Sequence, residues 1–387
     1  MDFGIPTTID YGKLIEDHLQ ADDYCVRTGG WDAYIAVKTA LEAYYSPHSS
    51  EAHFERIYHV LHELEAMTVS KGAVPKYRPV LVPFFDKKLD LRDEALRAAS
   101  KAMIAAIYEI ASTRSDSPLI SLGYLSGFFR TLGRSFIPRI YSTNYDDFVS
   151  QAVPGLFTGF TRESGDFRLF SARDFWAGWN APSIFHLHGS VHMGFPRSRS
   201  VDIEIGELAW FDSRDAALKF SSFSGTGISR LDGSGINRSA IITGLDKLGR
   251  IQQAPFSHYY AALARDAFEA EVIFVLGSGL GDTHINSWIK AIRKDEMKTP
   301  LVFVSYWPAD EDFYTAVNFD FTDREISMIH DLRMALQSRS GVSYFRPEGW
   351  TIDRENRACI WSRGFRSFLE SPDSLHDVLR EIGVKWG

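Results

Sequence analysis

The run Val272-Ile273-Phe274-Val275-Leu276-Gly277-Ser278-Gly279-Leu280-Gly281-Asp282-Thr283-His284-Ile285-Asn286 joins an unbroken apolar stretch to a glycine-serine loop, then to residues with helical spacing. Consecutive rather than alternating apolar residues predict a strand buried on both faces, as in a parallel sheet. The glycines free the backbone to come close to a phosphate, and the N-terminus of the following helix offers unpaired N–H groups and a favourable dipole. The same residues also read as a tight strand-to-helix turn with Asp282 as an N-cap.

Working outward, comparable short runs occupy Phe136 to Ser142, Ser183 to Leu187, Ala240 to Thr243 and Leu301 to Ser305. Helical patterns lie between several of them, at Tyr259 to Phe268 and Ile285 to Ile292, so strand and helix alternate. This predicts an α/β chain with a doubly wound, Rossmann-like parallel sheet. Before the runs begin, apolar residues fall at helical spacing from Tyr11 to about Lys88 and again from Glu94 to Ile110. Around Lys76 to Pro83, three prolines (Pro75, Pro79 and Pro83) predict a connector. Phe195 to Ser239, of mixed polarity and rich in Ser, Gly and Arg, reads as a long irregular loop. After Pro308 come an expected helix at Arg324 to Leu336, a strand at Val342 to Phe345 and a last helix at Leu375 to Ile382. The expected layout is a nucleotide-binding domain over residues 1–306, with a helical insertion at about 30–115, and a C-terminal α/β extension over 307–387.

Composition narrows the function classes. The chain has 387 residues, 45% of them hydrophobic, which allows a large core. It carries 42 basic against 50 acidic residues, a net of −8, with no basic runs, so direct nucleic-acid binding is disfavoured. Cys25 and Cys359 are its only cysteines, which excludes a four-cysteine zinc site and a disulfide framework and fits a reducing compartment. Met1 to Pro6 lacks a secretory pattern and no stretch has the apolar length of a membrane span. The expectation is a soluble, cytoplasmic protein.

Two further strand ends deliver polar residues where ligands bind in open α/β sheets. In Ile140-Tyr141-Ser142-Thr143-Asn144-Tyr145-Asp146-Asp147 a strand runs into an amide and two acids, residues that serve equally as helix caps. In Ile184-Phe185-His186-Leu187-His188-Gly189-Ser190 the alternation predicts His186 and His188 on one face of a strand, with Gly189 freeing the turn. One histidine is a candidate base. Metal ligation is the other use of such a pair, but no nearby acid or cysteine completes a set, so no metal is assigned. His192, His284 and the tryptophans read as ordinary loop, helix and core residues.

Taken together, these segments resemble the sirtuin superfamily, and within it the bacterial sirtuin-like domains associated with antiphage defence. Ser142-Thr143-Asn144-Tyr145-Asp146 resembles the family's Asn-x-Asp motif, and Leu187-His188-Gly189-Ser190 its His-Gly segment. Gly277-Ser278 through Asp282-Thr283-His284-Ile285-Asn286 is similar to the loop and Asp-x-His-x-Asn of the bacterial branch, as is Ile242-Thr243-Gly244-Leu245-Asp246-Lys247. Phe3-Gly4-Ile5-Pro6 resembles the segment just after the family's first Gly-Ala-Gly-x-Ser loop, so that the chain begins beyond that loop.

The resemblance implies an NAD glycohydrolase that cleaves the nicotinamide–ribose bond, with NAD as substrate and no zinc. It makes His188 and Asn144 the catalytic pair and gives cofactor-binding roles to Gly4, Thr143, Asp146, Gly189, Gly277, Ser278 and Asp282. An imidazole titrates near ~6.5 when unperturbed and suits His188 to take a proton from water at neutral pH. The lack of a zinc ribbon sets this apart from the protein deacylases, and a catalytically degenerate module that binds NAD or ADP-ribose for a partner is the alternative. The same resemblance leads to the expectation of a homo-oligomer, regulated by an ATPase, an Argonaute-like protein or a phage component, with no membrane partner.

Overall fold

The computed structural model describes residues 4–67, 92–119, 121–196, 207–229, 235–244, 247–278, 282–293, 299–306, 343–345, 349–371 and 373–386. The proline-rich connector and the helix expected at Arg324 to Leu336 lie outside these residues.

Along the chain, helices α1 (Thr8–Ala21), α2 (Asp23–Thr28), α3 (Gly30–Tyr44), α4 (Phe54–Met67), α5 (Asp93–Asp116) and α6 (Leu122–Leu132) precede the first strand. Then follow β1 (Arg139–Ser142), α7 (Phe148–Ala152), β2 (Phe160–Glu163), β3 (Phe167–Phe170), α8 (Ala172–Ala177), β4 (Ser183–His186), β5 (Met193–Gly194) and β6 (Ala209–Phe211). Next come α9 (Arg214–Leu218), β7 (Ser222–Ser229), β8 (Gly235–Ser239), α10 (Leu248–Ile251), α11 (Phe256–Glu269), β9 (Ile273–Leu276), α12 (Thr283–Arg293) and β10 (Leu301–Val304). The last elements are β11 (Ser343–Phe345), β12 (Trp350–Asp353), β13 (Ala358–Trp361), α13 (Phe365–Glu370) and α14 (Asp373–Glu381). No helix among the described residues is long and apolar enough to cross a membrane.

The chain divides into two compact units, one built mainly from Phe3–Ile120 and Ile140–Tyr259, the other from Ser121–Arg139 and Tyr260–Gly387. In the first, local capping starts the helices: Thr7 Oγ1 accepts the Asp10 N–H at 3.2 Å, and Asp22 Oδ1 accepts that of Cys25 at 2.7 Å. α1, α3 and α4 pack on α5, whose Leu96, Ala99, Met103 and Ile107 are almost wholly buried. This spacing of three and four is the apolar stripe that the sequence shows. β1 pairs with β4, and a separate antiparallel sheet runs in the order β2-β3-β6-β5.

The second unit holds a sheet ordered β11-β12-β13-β10-β9. β9, β10 and β13 are parallel, in the register Ile273↔Leu301↔Ala358 and Val275↔Phe303↔Ile360. These residues form one face, against which Ile285 and Ile289 of α12 pack. On the opposite face, Phe274 meets Phe128 of α6 edge-on at 5.8 Å, and Phe128 meets Phe368 of α13 at 5.4 Å. Cover on both faces is why the strands are apolar at consecutive positions. The chain is thus a mixed α/β protein with a parallel sheet, as a Rossmann-like fold requires.

Two local expectations are corrected. Phe195 to Ser239 is not structureless: it contains β6, α9 and the β7–β8 hairpin. Conversely, Ala240 to Thr243 is buried but belongs to no strand; Ala240 N–H goes to Ser221 O and Ile242 N–H to His188 O, both at 2.8 Å. Its apolar run reflects burial of a connecting segment rather than a sheet ladder.

Candidate functional site

β1 and β4 are neighbours, and the chain continues in step beyond their ends. Leu187 N–H donates to Ser142 O at 2.8 Å, and Val191 N–H to Tyr145 O at 2.9 Å. These bonds bring the segment carrying Thr143, Asn144 and Asp146 alongside the one carrying His188 and Gly189. A third segment closes on them: Ile242 N–H bonds His188 O at 2.8 Å, and the Tyr145 hydroxyl donates to Ile242 O at 3.1 Å. Asn144 is exposed and Thr143 half-buried, whereas His188 is 3% exposed. β4 ends at His186, so His188 sits in the turn after the strand rather than on its face.

Gly189 is required where it stands. Its φ is +88°, and an added Cβ would lie 2.6 Å from Ala240 O and 2.9 Å from Ile241 Cα. Only glycine lets the His188 turn fit against that third segment. Gly4 lies in the same unit, with φ +92° and the place of a Cβ 2.9 Å from Leu119 Cγ.

The acids and histidines of these segments have distinct environments. Asp146 is buried; one carboxylate oxygen accepts the Phe148 N–H at 3.2 Å, while Oδ2 has no hydrogen-bond partner among the described residues. Burial pushes its carboxyl up to about 6. Burial also works to raise Asp147, but hydrogen bonds from His192 and Gln151, with the Arg214 guanidinium nearby, outweigh it and hold Asp147 down to about 2. Burial, followed by the neighbouring His192, pushes His186 down to about 4, which makes it a neutral histidine of the core set 5.6 Å from the Trp210 ring. That leaves His188 as the candidate base.

His192, read from sequence as a plain loop residue, is part of this network. Its Nε2 lies 3.0 Å from Asp147 Oδ2, its Nδ1 lies 2.9 Å from Phe211 O, and its ring stacks on Trp210 at 5.0 Å and 7°. No local signal identifies it, because its partner is 45 residues away in sequence.

The remaining candidates, Gly277, Ser278 and Asp282, belong to the second unit. Gly277 N–H bonds Val304 O at 3.0 Å, its φ is +63°, and a Cβ there would meet nothing within 4 Å among the described residues. Asp282 O accepts the N–H groups of Ile285 at 2.9 Å and Asn286 at 3.0 Å, placing Asp282 at the start of α12. His284, in the first turn of that helix, has Nε2 2.9 Å from the Tyr260 hydroxyl. Burial, then the charge of Asp282, pushes the Tyr260 hydroxyl up, so it keeps its proton.

Residues 138–321 match the family model described as a SIR2-like domain. The match begins at the strand leading to Asn144 and runs past the β9 loop. No curated protein matches the chain.

Proposed function

We propose that this chain, whose residues 138–321 are a SIR2-like domain, is an NAD glycohydrolase that cleaves the nicotinamide–ribose bond. A SIR2-like domain implies binding or use of NAD; the hydrolytic step is our reading. What supports it is the pair of backbone hydrogen bonds that hold the segment carrying Asn144 alongside the segment carrying His188 after β1 and β4.

The residues fit the substrate at Asp146. Its buried Oδ2, which has no hydrogen-bond partner among the described residues, is an acceptor that a ribose hydroxyl would satisfy.

The chemistry replaces a C–N glycosidic bond by a C–O bond. Cleavage builds positive charge on the ribose, as in glycoside hydrolysis generally. Nicotinamide leaves with the bonding pair, water attacks C1′, and the proton that water gives up goes to His188 and then to solvent. Asn144, a neutral donor and acceptor, holds the water or a ribose hydroxyl without adding charge. We assign NAD depletion in antiphage defence as the setting, on the resemblance of Gly277 to Asn286 to the bacterial branch, and a homo-oligomer on the resemblance of the helical stretch from about Gly30 to Ser115 to helices of that branch.

A second reading is a binding module that holds NAD or ADP-ribose without hydrolysing it. The near-complete burial of His188 favours it, since a general base must be reached by water. Nicotinamide release from NAD decides between them, with His188→Ala as the control. Release that the substitution abolishes supports the hydrolase; NAD binding with no release under any condition leaves the module.

A further inference from the structure

β1 and β4 are each four residues long, so their ladder gives the polar segments beyond them little hold. Past the strands, the backbone link between the segments is the pair of bonds from Leu187 to Ser142 and from Val191 to Tyr145. One side-chain pair joins them further out. Asp147 comes three residues after Asn144 and His192 four after His188, and their side chains meet at 3.0 Å.

Both residues are held from every side. The His192 ring has Phe211 O on one nitrogen, Asp147 on the other and Trp210 on its face. Carbonyl and carboxylate are both acceptors for a ring N–H. Asp147 Oδ1 accepts from Gln151 Nε2 at 2.7 Å, and the same amide donates to Ser115 O at 2.9 Å. Arg214 Nε lies 3.7 Å from Asp147 Oδ2, while its Nη1 donates to Ser112 O at 2.8 Å and its Nη2 pairs with Asp116 at 2.5 Å. The pair is therefore tied to the C-terminal end of α5. The side chains of His192 and Asp147 are 14% and 6% exposed, so water screens their attraction little.

We propose that Asp147 and His192 form a clasp that holds the Asn144 segment in register with the His188 segment, and that both are positioning residues for the reaction at those two side chains. The proposal rests on the reading of Asn144 and His188 as the reacting pair. Neither clasp residue touches substrate; each acts through the residue a few positions before it. Small misplacement of reacting groups is costly to turnover, so the clasp should show in kcat rather than KM.

The experiment compares Asp147→Ala, His192→Ala and the conservative His192→Gln, whose amide can still donate to Asp147, in the full chain. Two readouts are taken. The first is amide hydrogen exchange at Leu187 and Val191, which requires no activity. The second is kcat and KM for nicotinamide release, with thermal melting as the folding control. The expected result is exchange at both amides faster by about tenfold in the alanine variants with the α5 amides unchanged, and kcat lower by about tenfold or more with KM within about threefold. His192→Gln should recover much of both. Unchanged protection at Leu187 and Val191 would overturn the clasp. So would unchanged kcat in a folded variant, or a loss of kcat that cooling below the lowered melting temperature restores. Absence of nicotinamide release from the wild type would sink the hydrolase reading instead, and the exchange data would still decide whether the clasp exists.

Discussion

Asp146 and Asp147 are adjacent in the chain and are driven in opposite directions: burial carries the Asp146 carboxyl up to about 6, while His192, Gln151 and Arg214 overcome burial to hold Asp147 down to about 2. Neighbouring acids thus take different tasks, one keeping an unfilled acceptor in the interior and the other bonding its surroundings together.

For Asp146 the folded value lies above the unfolded one near 3.8. Its contribution to stability is then present below about pH 4 and is lost as pH rises through about 6. Asp146→Asn removes the buried charge, so above pH 6 the variant should be more stable than wild type by about 2–3 kcal/mol, with the gain vanishing below about pH 4. Denaturant unfolding at both pH values measures this. NAD binding, followed by calorimetry, should weaken in the same variant.

Asp147 has the opposite sign. Its folded value lies below the unfolded one, so its contribution is present above about pH 4 and lost as pH falls through about 2. Asp147→Asn should cost about 2 kcal/mol at pH 7, and the difference from wild type should shrink as the medium is acidified below about pH 4. Unfolding curves over that range check it.

The two site glycines should fail differently. At Gly189 an alanine meets backbone within 3 Å and an unfavourable φ, so Gly189→Ala should lower stability by about 2 kcal/mol or more and disturb the His188 turn. At Gly277 no described residue stands within 4 Å of the place of a Cβ, so Gly277→Ala should cost only about 1 kcal/mol. Melting curves and steady-state kinetics on the two variants separate the effects.

Tyr260→Phe removes the hydroxyl that lies 2.9 Å from His284 Nε2. The expected cost is about 1 kcal/mol. Amide exchange in the first turn of α12 should quicken, and the His284 ring nitrogen signals should move as this hydrogen bond is lost.

The strand ends were legible in the sequence because burial on both faces leaves an unambiguous mark: Ile273 to Leu276 and Leu301 to Val304 are strands where their apolar runs stand. β2 was not, since Thr161, Arg162 and Glu163 are exposed and its pattern lacks an apolar face. The β7–β8 hairpin was hidden by its Ser and Gly content. Ala240 to Thr243 misled in the other direction, because burial alone writes an apolar run whether or not a ladder forms. Among site residues, Asn144, Asp146 and His188 could be named from motifs, and the structure brings their segments together. The place of His192 depended on Asp147, 45 residues away in sequence, a relation that no local pattern encodes.

On the proposed binding of a ribose hydroxyl at Asp146 Oδ2, ligand uptake would release protons. A hydroxyl that donates to Oδ2 favours the charged carboxylate, so near pH 6 association would expel up to about half a proton per site. The heat of binding would then depend on the ionisation enthalpy of the buffer, and affinity would climb with pH through the same interval in which the empty protein grows less stable.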